Sequence, residues 1–263
     1  MNDGPVLHVW PDHAVYLADS LDADTHAHHV AQISLALQGS LEVRVGGAGK
    51  WSRLTGVIIA ADEPHAVHAA NPLAQLYLEP ESQLGRRLAT VLAGASHQPL
   101  PESAVRSILP PLRRCWREQL PFRAVQASFE LASAALLDVR PAASLDPRIS
   151  AVLARLREDY RRPPPLAELA SGVGLSAGRL THLFREEVGL PIRRYTLWLR
   201  VMGAAAALSR GADHIEAALE NGFADASHMS RTFRRMLSLP PGRFPKVFLA
   251  DSQFVQDGSD ESA

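Results

Sequence analysis

Cysteine occurs once, at Cys115, which excludes an intrachain disulfide and any four-cysteine zinc site. No apolar run approaches the roughly 20 residues that a membrane span requires. Met1 to Trp10 lacks a basic segment followed by an apolar core, so no secretory leader is read there. Neither sign of charge dominates, with a formal net charge of −1. What is present is a globular composition, 46% hydrophobic and 21% charged, in 263 residues, enough for one large or two ordinary domains. The expectation is a soluble cytoplasmic protein with no membrane partner.

The near-zero total conceals an asymmetry. Residues 1–145 carry 11 Lys+Arg against 14 Asp+Glu, residues 146–250 carry 16 against 10, and residues 251–263 carry no base and 4 acids. A basic region behind an acidic one points to a polyanionic partner for the second. The local patterns divide the chain in the same place. Residues 13–79 read as β: Val30 to Leu37 and Leu41 to Val45 flank the turn Gln38-Gly39-Ser40, and Val57-Ile58-Ile59 and Leu76-Tyr77-Leu78 follow. From Glu81 the period becomes helical, with Leu84, Leu88, Val91 and Leu92 in register and further helices over 105–120 and 122–139. Asp146-Pro147 offers an N-cap and a first-turn proline, and helix is expected from there to about Leu249. The expected fold is α+β in two domains. The division is 1–80 a β-barrel, 81–140 a helical segment, 141–145 a linker, 146–250 an all-α domain and 251–263 a disordered acidic tail.

The C-terminal region repeats itself at an offset of 49. Leu166 matches Ile215, Ser176 matches Asp225, Leu180 matches Met229, Phe184 matches Phe233, Leu190 matches Leu239 and Pro191 matches Pro240. Each copy is a short helix, a glycine-containing turn and a capped helix, the outline of a helix-turn-helix. In the first copy Leu180, Leu183, Phe184 and Val188 share one face, leaving Gly178, Thr181, His182 and Arg185 on the other. In the second, Met229, Thr232, Phe233 and Met236 face inward, leaving Ser227, Ser230, Arg231, Arg234 and Arg235 outward. These outer faces are candidates for reading base edges, since an arginine fork meets two acceptors of guanine at once. Arg193, Arg194 and Arg243 lie near helix ends and are candidates for phosphate. A helix over 191–209 would span roughly 28 Å, against about 34 Å between successive major-groove segments.

These residues resemble the DNA-binding domain of the AraC/XylS family of transcription regulators over 146–245. The first unit carries Leu166-Ala-Glu-Leu-Ala, Leu175-Ser176 and Leu183-Phe184-Arg185-Glu186-Glu187-Val188-Gly189. The second runs Ala217-Ala-Leu-Glu-Asn-Gly222-Phe223-Ala-Asp225, then Ser227-His-Met-Ser-Arg231-Thr-Phe233-Arg-Arg, and ends Pro240-Pro241-Gly-Arg-Phe244. Gly178 departs from the family, where a larger contacting side chain often stands. The resemblance implies a sequence-specific DNA-binding regulator of transcription, usually an activator that recruits RNA polymerase, with an organic effector held in the N-terminal barrel. The helices of 101–140 resemble the family's segment for forming a homodimer, although helices that merely cover a barrel have the same pattern.

The N-terminal part also carries a resemblance. His26-Ala-His28, Gln32 and Gly39 are similar to the first motif of the cupin barrel, and Gly56 leading to Pro64-His65 to the second. In metal-binding cupins such histidines and a glutamate converge on one ion; here Gln32 stands in place of the glutamate. His26, His28, Gln32 and His65 are therefore candidates either for a divalent transition metal (Zn, Ni, Cu or Fe) or for a pocket that takes a small organic effector. His29 and His68 read as rim residues, and Cys115 beside Trp116 as a packed apolar residue. The competing function is a cupin-type metalloenzyme with an accessory nucleic-acid-binding domain. It is disfavoured by the missing glutamate and by the lack of a second acid/base group, and no catalytic residue is assigned.

Overall fold

The computed structural model describes residues 4–10, 12–47, 49–137 and 144–237, together with the backbone of 246–249. Arg243 and the tail 251–263 lie outside the described residues, as does most of the expected linker.

Nine strands come first: β1 (Val6–Val9), β2 (His13–Ala18), β3 (Leu21–His26), β4 (Ala31–Ala36), β5 (Leu41–Val45), β6 (Ser52–Leu54), β7 (Gly56–Ile59), β8 (His65–Ala69) and β9 (Leu73–Leu78). Helix α1 (Gln83–Leu92), strand β10 (His97–Pro99) and helices α2 (Glu102–Glu118) and α3 (Phe122–Leu136) follow. The C-terminal region holds α4 (Pro147–Asp159), α5 (Leu166–Gly172), α6 (Ala177–Val188), α7 (Ile192–Ser209), α8 (His214–Glu220) and α9 (Ala226–Leu237), and then strand β11 (Lys246–Leu249). The expected α+β organisation holds: a sheet-rich N-terminal region is followed by a helical C-terminal one.

One sheet runs β10-β7-β4-β9-β2-β1-β11 and the other β3-β8-β5-β6. Side chains alternate across each strand of the larger sheet, and the two faces have different partners. Val15, Leu17, Ile33, Leu35, Ile58, Leu76 and Leu78 join one core with Leu88, Ile108, Leu112 and Phe129 of α1 to α3. Tyr16, Ala36, Val57, Ile59 and Leu73 pack with Leu41, Val43 and Val67 of the smaller sheet. The helical segment thus covers the outer face of the large sheet, while the interior lies between the two sheets. Cys115 is buried in the first core, as a packed apolar residue would be.

Two elements correct the expected boundaries. Strand β10 pairs antiparallel with β7, so the segment read as helical from 81 to 140 also supplies a sheet edge. Strand β11 pairs parallel with β1, Val6 opposite Lys246, so the stretch expected to stay helical to Leu249 ends in a strand on the N-terminal sheet. Three- and four-residue strands are too short to show a period, which is why the sequence did not reveal them.

In the C-terminal region, α7 serves two cores. Tyr195 and Leu199 pack with α4, α5 and α6, whereas Trp198, Val201, Ala204 and Ala205 pack with Ala217, Ala218, Met229 and Phe233 of α8 and α9. Gly203 lets α7 pass close to the Tyr160 hydroxyl, which donates to Asn221 Oδ1 at 2.9 Å. A Cβ at Gly203 would meet both partners of that hydrogen bond inside contact distance. Gly203→Ala is expected to lower stability by about 1–3 kcal/mol, the usual cost of overpacking. A thermal melt unchanged from the parent would show that α7 has room to shift.

Candidate functional site

Both helix-turn-helix units are capped as their sequences require. Ser176 Oγ accepts from Arg179 N at the start of α6, and Asp225 Oδ1 accepts from His228 N at 2.6 Å at the start of α9. The four apolar residues of α6, Leu180, Leu183, Phe184 and Val188, are buried, and so are Met229, Thr232, Phe233 and Met236 of α9. Thr232 satisfies its hydroxyl by donating to His228 O. The repeat does not extend to burial everywhere: Leu166 and Ile215, matched at the start of α5 and α8, are both exposed.

The base-reading candidates come to the surface on the opposite faces. Gly178, Thr181, His182 and Arg185 are exposed on α6, and Ser227, Arg231, Arg234 and Arg235 on α9, with Ser230 half-buried. Thr181 ties its hydroxyl back to Ala177 O, while His182 lies 3.9 Å from Glu186. Arg193 is exposed near the start of α7. Arg194 is differently placed, with its guanidinium 3.5 Å from Asp62 Oδ1 of the N-terminal region. A Cβ added at Gly178 meets nothing within 4 Å. Gly178→Ala should therefore stabilise α6 by up to about 1 kcal/mol through helix propensity alone. A lowered melting temperature for that variant would count against the open geometry.

Within the N-terminal region, the structure brings His26, His28 and His65 together, each offering one ligand atom, all within 4.8 Å of one another. The ring centroids are 4.4 to 5.4 Å apart. Strand pairing places His26 opposite His65, just after a register shift in β3 between Ala23 and His26. Each Nδ1 lies against a main-chain carbonyl: Asp24 O at 2.7 Å, Val30 O at 2.8 Å and Glu63 O at 2.8 Å. A carbonyl can only accept, so each Nδ1 carries the hydrogen and each neutral ring keeps its lone pair on Nε2. His65 Nε2 is buried and has no hydrogen-bond partner. Burial holds His26 below its ordinary pKa and His65 at about 4. His28 lies well below its ordinary value, through burial and then its two histidine neighbours. The three rings are therefore neutral donors.

Gln32 extends the cluster inward. Its Oε1 stands 2.9 Å from His28 Nε2, and its amide nitrogen donates to Ser34 Oγ at 2.6 Å. Ser34 Oγ also accepts from Gln75, whose Oε1 accepts from the Tyr77 hydroxyl. This buried polar chain links β4 and β9, and of its members the sequence had singled out only His28 and Gln32. The signal was present in the alternation of polar with apolar residues along Gln32-Ile-Ser34 and Gln75-Leu-Tyr77.

His29 is not a rim residue, as the sequence suggested, but is 1% exposed. Its Nε2 is 3.1 Å from Glu81 Oε2. Arg157 of α4 reaches both Glu79 Oε2, at 2.7 Å, and Glu81 Oε1, at 3.5 Å. Burial and the adjacent Glu81 push Glu79 well above its ordinary pKa. Burial also raises Glu81, but the hydrogen bond and charge of His29 and the charge of Arg157 outweigh it and hold that carboxyl low. This network, missed in the sequence, joins the two halves of the chain. His68 is half-exposed beside Asp22 and Trp51, as expected of a rim residue.

Residues 169–246 match the family model described as a helix-turn-helix domain. No curated protein matches the chain. Among solved structures, it is similar to ToxT from Vibrio cholerae, with TM-score 0.53 and 11% identity, covering 88% of this chain and 96% of that one. A second form, ToxT from strain SCE256 with an unsaturated fatty acid bound, gives TM-score 0.52 at 13% identity, covering 92% and 95%. These likenesses establish the two-domain fold. The helix-turn-helix match bears out, in the C-terminal region, the resemblance to AraC-type regulators.

Proposed function

We propose that this chain, an AraC-type regulator by its C-terminal region, binds specific double-stranded DNA sequences and controls transcription in response to a small ligand or metal in its N-terminal region. The observation that carries the reading is the pair of capped helices α6 and α9. Both bury their apolar faces and expose donor-rich ones, and both are packed on the single helix α7. At 18 residues α7 spans about 27 Å, a separation suited to neighbouring turns of one major groove. The fatty acid bound to the similar ToxT form supports a response to a small ligand. Here the interior polar chain from His28 to Tyr77 supplies donors and acceptors for such an effector.

The functional division follows: residues 1–80 sense, the helices α1 to α3 cover the sheet and offer a surface for a homodimer, and the helices α4 to α9 read DNA, while β10 and β11 join the N-terminal sheet. Family resemblance favours activation through contact with RNA polymerase, in the cytoplasm. The reading is regulatory rather than catalytic, because Gln32 stands where a metal-dependent cupin enzyme would offer a carboxylate. Selection of bound fragments from genomic DNA tests it. The expected result is a recurring motif with two half-elements about one helical turn apart. Recovery of fragments without a common motif would overturn sequence-specific reading.

A further inference from the structure

We propose that Thr181 reads one thymine through its methyl group, so that the half-element under α6 is specified by a methyl contact where α9 uses an arginine fork. The inference rests on the regulator reading, because it names what one of the two reading faces recognises.

The hydroxyl of Thr181 is committed within its own helix. It donates to Ala177 O at 2.9 Å, one turn back along α6. Threonine carries one polar and one apolar branch on Cβ and is stiff about χ1. Fixing the hydroxyl against the preceding turn therefore leaves the methyl as the free branch of an exposed side chain. The helix beneath it is held on two sides: Leu180 is fully buried, and Ser176 caps the first turn. Thr181 also stands in the N-terminal half of α6, the part of a recognition helix that meets base edges. The C5 methyl of thymine is the apolar group that the major groove offers, and it is the chemical match for a threonine methyl.

The surroundings favour a close apolar approach. Gly178, one turn earlier on the same face, has no side chain, and a Cβ there would meet nothing within 4 Å. His182, next to Thr181, has its Nε2 3.9 Å from Glu186, one turn further along, so its ring is directed toward the C-terminal half of the helix. Over its length α6 sets Arg179 and Arg185 against Glu186 and Glu187, whereas α9 carries Arg231, Arg234 and Arg235 and no acid. A helix without net charge gains little from phosphate attraction, so what α6 contributes has to come from fit to the bases. At the equivalent position α9 has Ser230, half-buried and without a methyl. The methyl contact therefore belongs to one half-element only, and the operator is unequal.

The test uses the full chain and the operator selected from genomic DNA, with each thymine replaced in turn by deoxyuridine, which lacks only the C5 methyl. One replacement should weaken binding by the parent about 4-fold, the contribution of one buried methyl-sized group. Thr181→Ser keeps the hydroxyl and loses the methyl, and should bind the thymine and deoxyuridine forms of that position alike. Thr181→Val keeps a methyl and loses the hydroxyl, and should still distinguish them about 4-fold. Unchanged affinity of both variants for random DNA shows that they are folded. The inference is overturned if no replacement weakens the parent, or if Thr181→Ser stays sensitive at the same position. It is equally overturned if Thr181→Val loses the distinction, since the hydroxyl would then be the reading group. Failure of the parent to select any motif appears one step earlier, and marks the failure of the regulator reading itself.

Discussion

Replacing Arg157 with alanine is expected to lower the free energy of unfolding by about 3–5 kcal/mol, the usual cost of removing one partner from a buried ion pair. Glu81 is 1% exposed and Glu79 12%, so neither carboxylate can turn to solvent while the two regions stay docked. Without the guanidinium, Glu81 keeps its contact with His29 but loses a positive neighbour, and Glu79 loses its 2.7 Å partner. The loss arises mainly from the stranded acids rather than from the pair itself, because a buried pair contributes little once desolvation is subtracted. Adding Glu79→Gln to Arg157→Ala should therefore recover part of the loss, whereas Glu79→Gln alone should cost less than Arg157→Ala. Urea unfolding of the three variants measures this. A loss below about 1 kcal/mol for Arg157→Ala would mean that the regions separate easily and hydrate their acids, so that the network is not a determinant of docking.

This network was illegible in the sequence for a definite reason. Arg157 is separated from Glu79 and Glu81 by 78 and 76 positions, and charged residues read one at a time are surface residues by default. His29 was misplaced for a related reason: it sits in the bend between β3 and β4, where strand alternation no longer tells inside from outside. The helix-turn-helix units were legible because their information is local and occurs twice. Caps, glycine turns and apolar spacing each specify one helix, and the repeat confirms the register. The histidine cluster stands between these cases. His26 and His28 share a short motif, but His65 joins them only through the pairing of β3 with β8, and sequence supplied that pairing through family resemblance rather than through spacing. The polar interior continued past Gln32 to Ser34, Gln75 and Tyr77 because β4 and β9 are neighbours, a register that no single segment encodes.

Arg231→Ala is expected to weaken operator binding by about 1–3 kcal/mol and to relax preference at one base pair, as loss of a two-bond contact to guanine would. Arg231 is exposed between Met229 and Phe233, which are fully buried and hold the helix against α7 and α8. Two residues from Met229 at about 100° each, it projects from the side of α9 opposite the core. Asp225 fixes the start of that helix, so the side chain is presented from a rigid turn rather than a fraying end. Arg193, exposed at the first turn of α7, should behave differently: Arg193→Ala should weaken all sequences alike and reduce the salt slope by about one. His182→Ala should resemble Arg231→Ala with a smaller effect, since a neutral imidazole offers one donor where guanidinium offers a fork. Arg194→Ala mixes two effects, because it also removes the partner of Asp62. Titration of each variant against the selected operator and its single-base variants, at two salt concentrations, separates the classes. If Arg231→Ala weakens operator and random DNA equally and flattens the salt dependence, Arg231 holds phosphate, and the base-reading face of α9 lies one turn away, at Ser227 or Arg234.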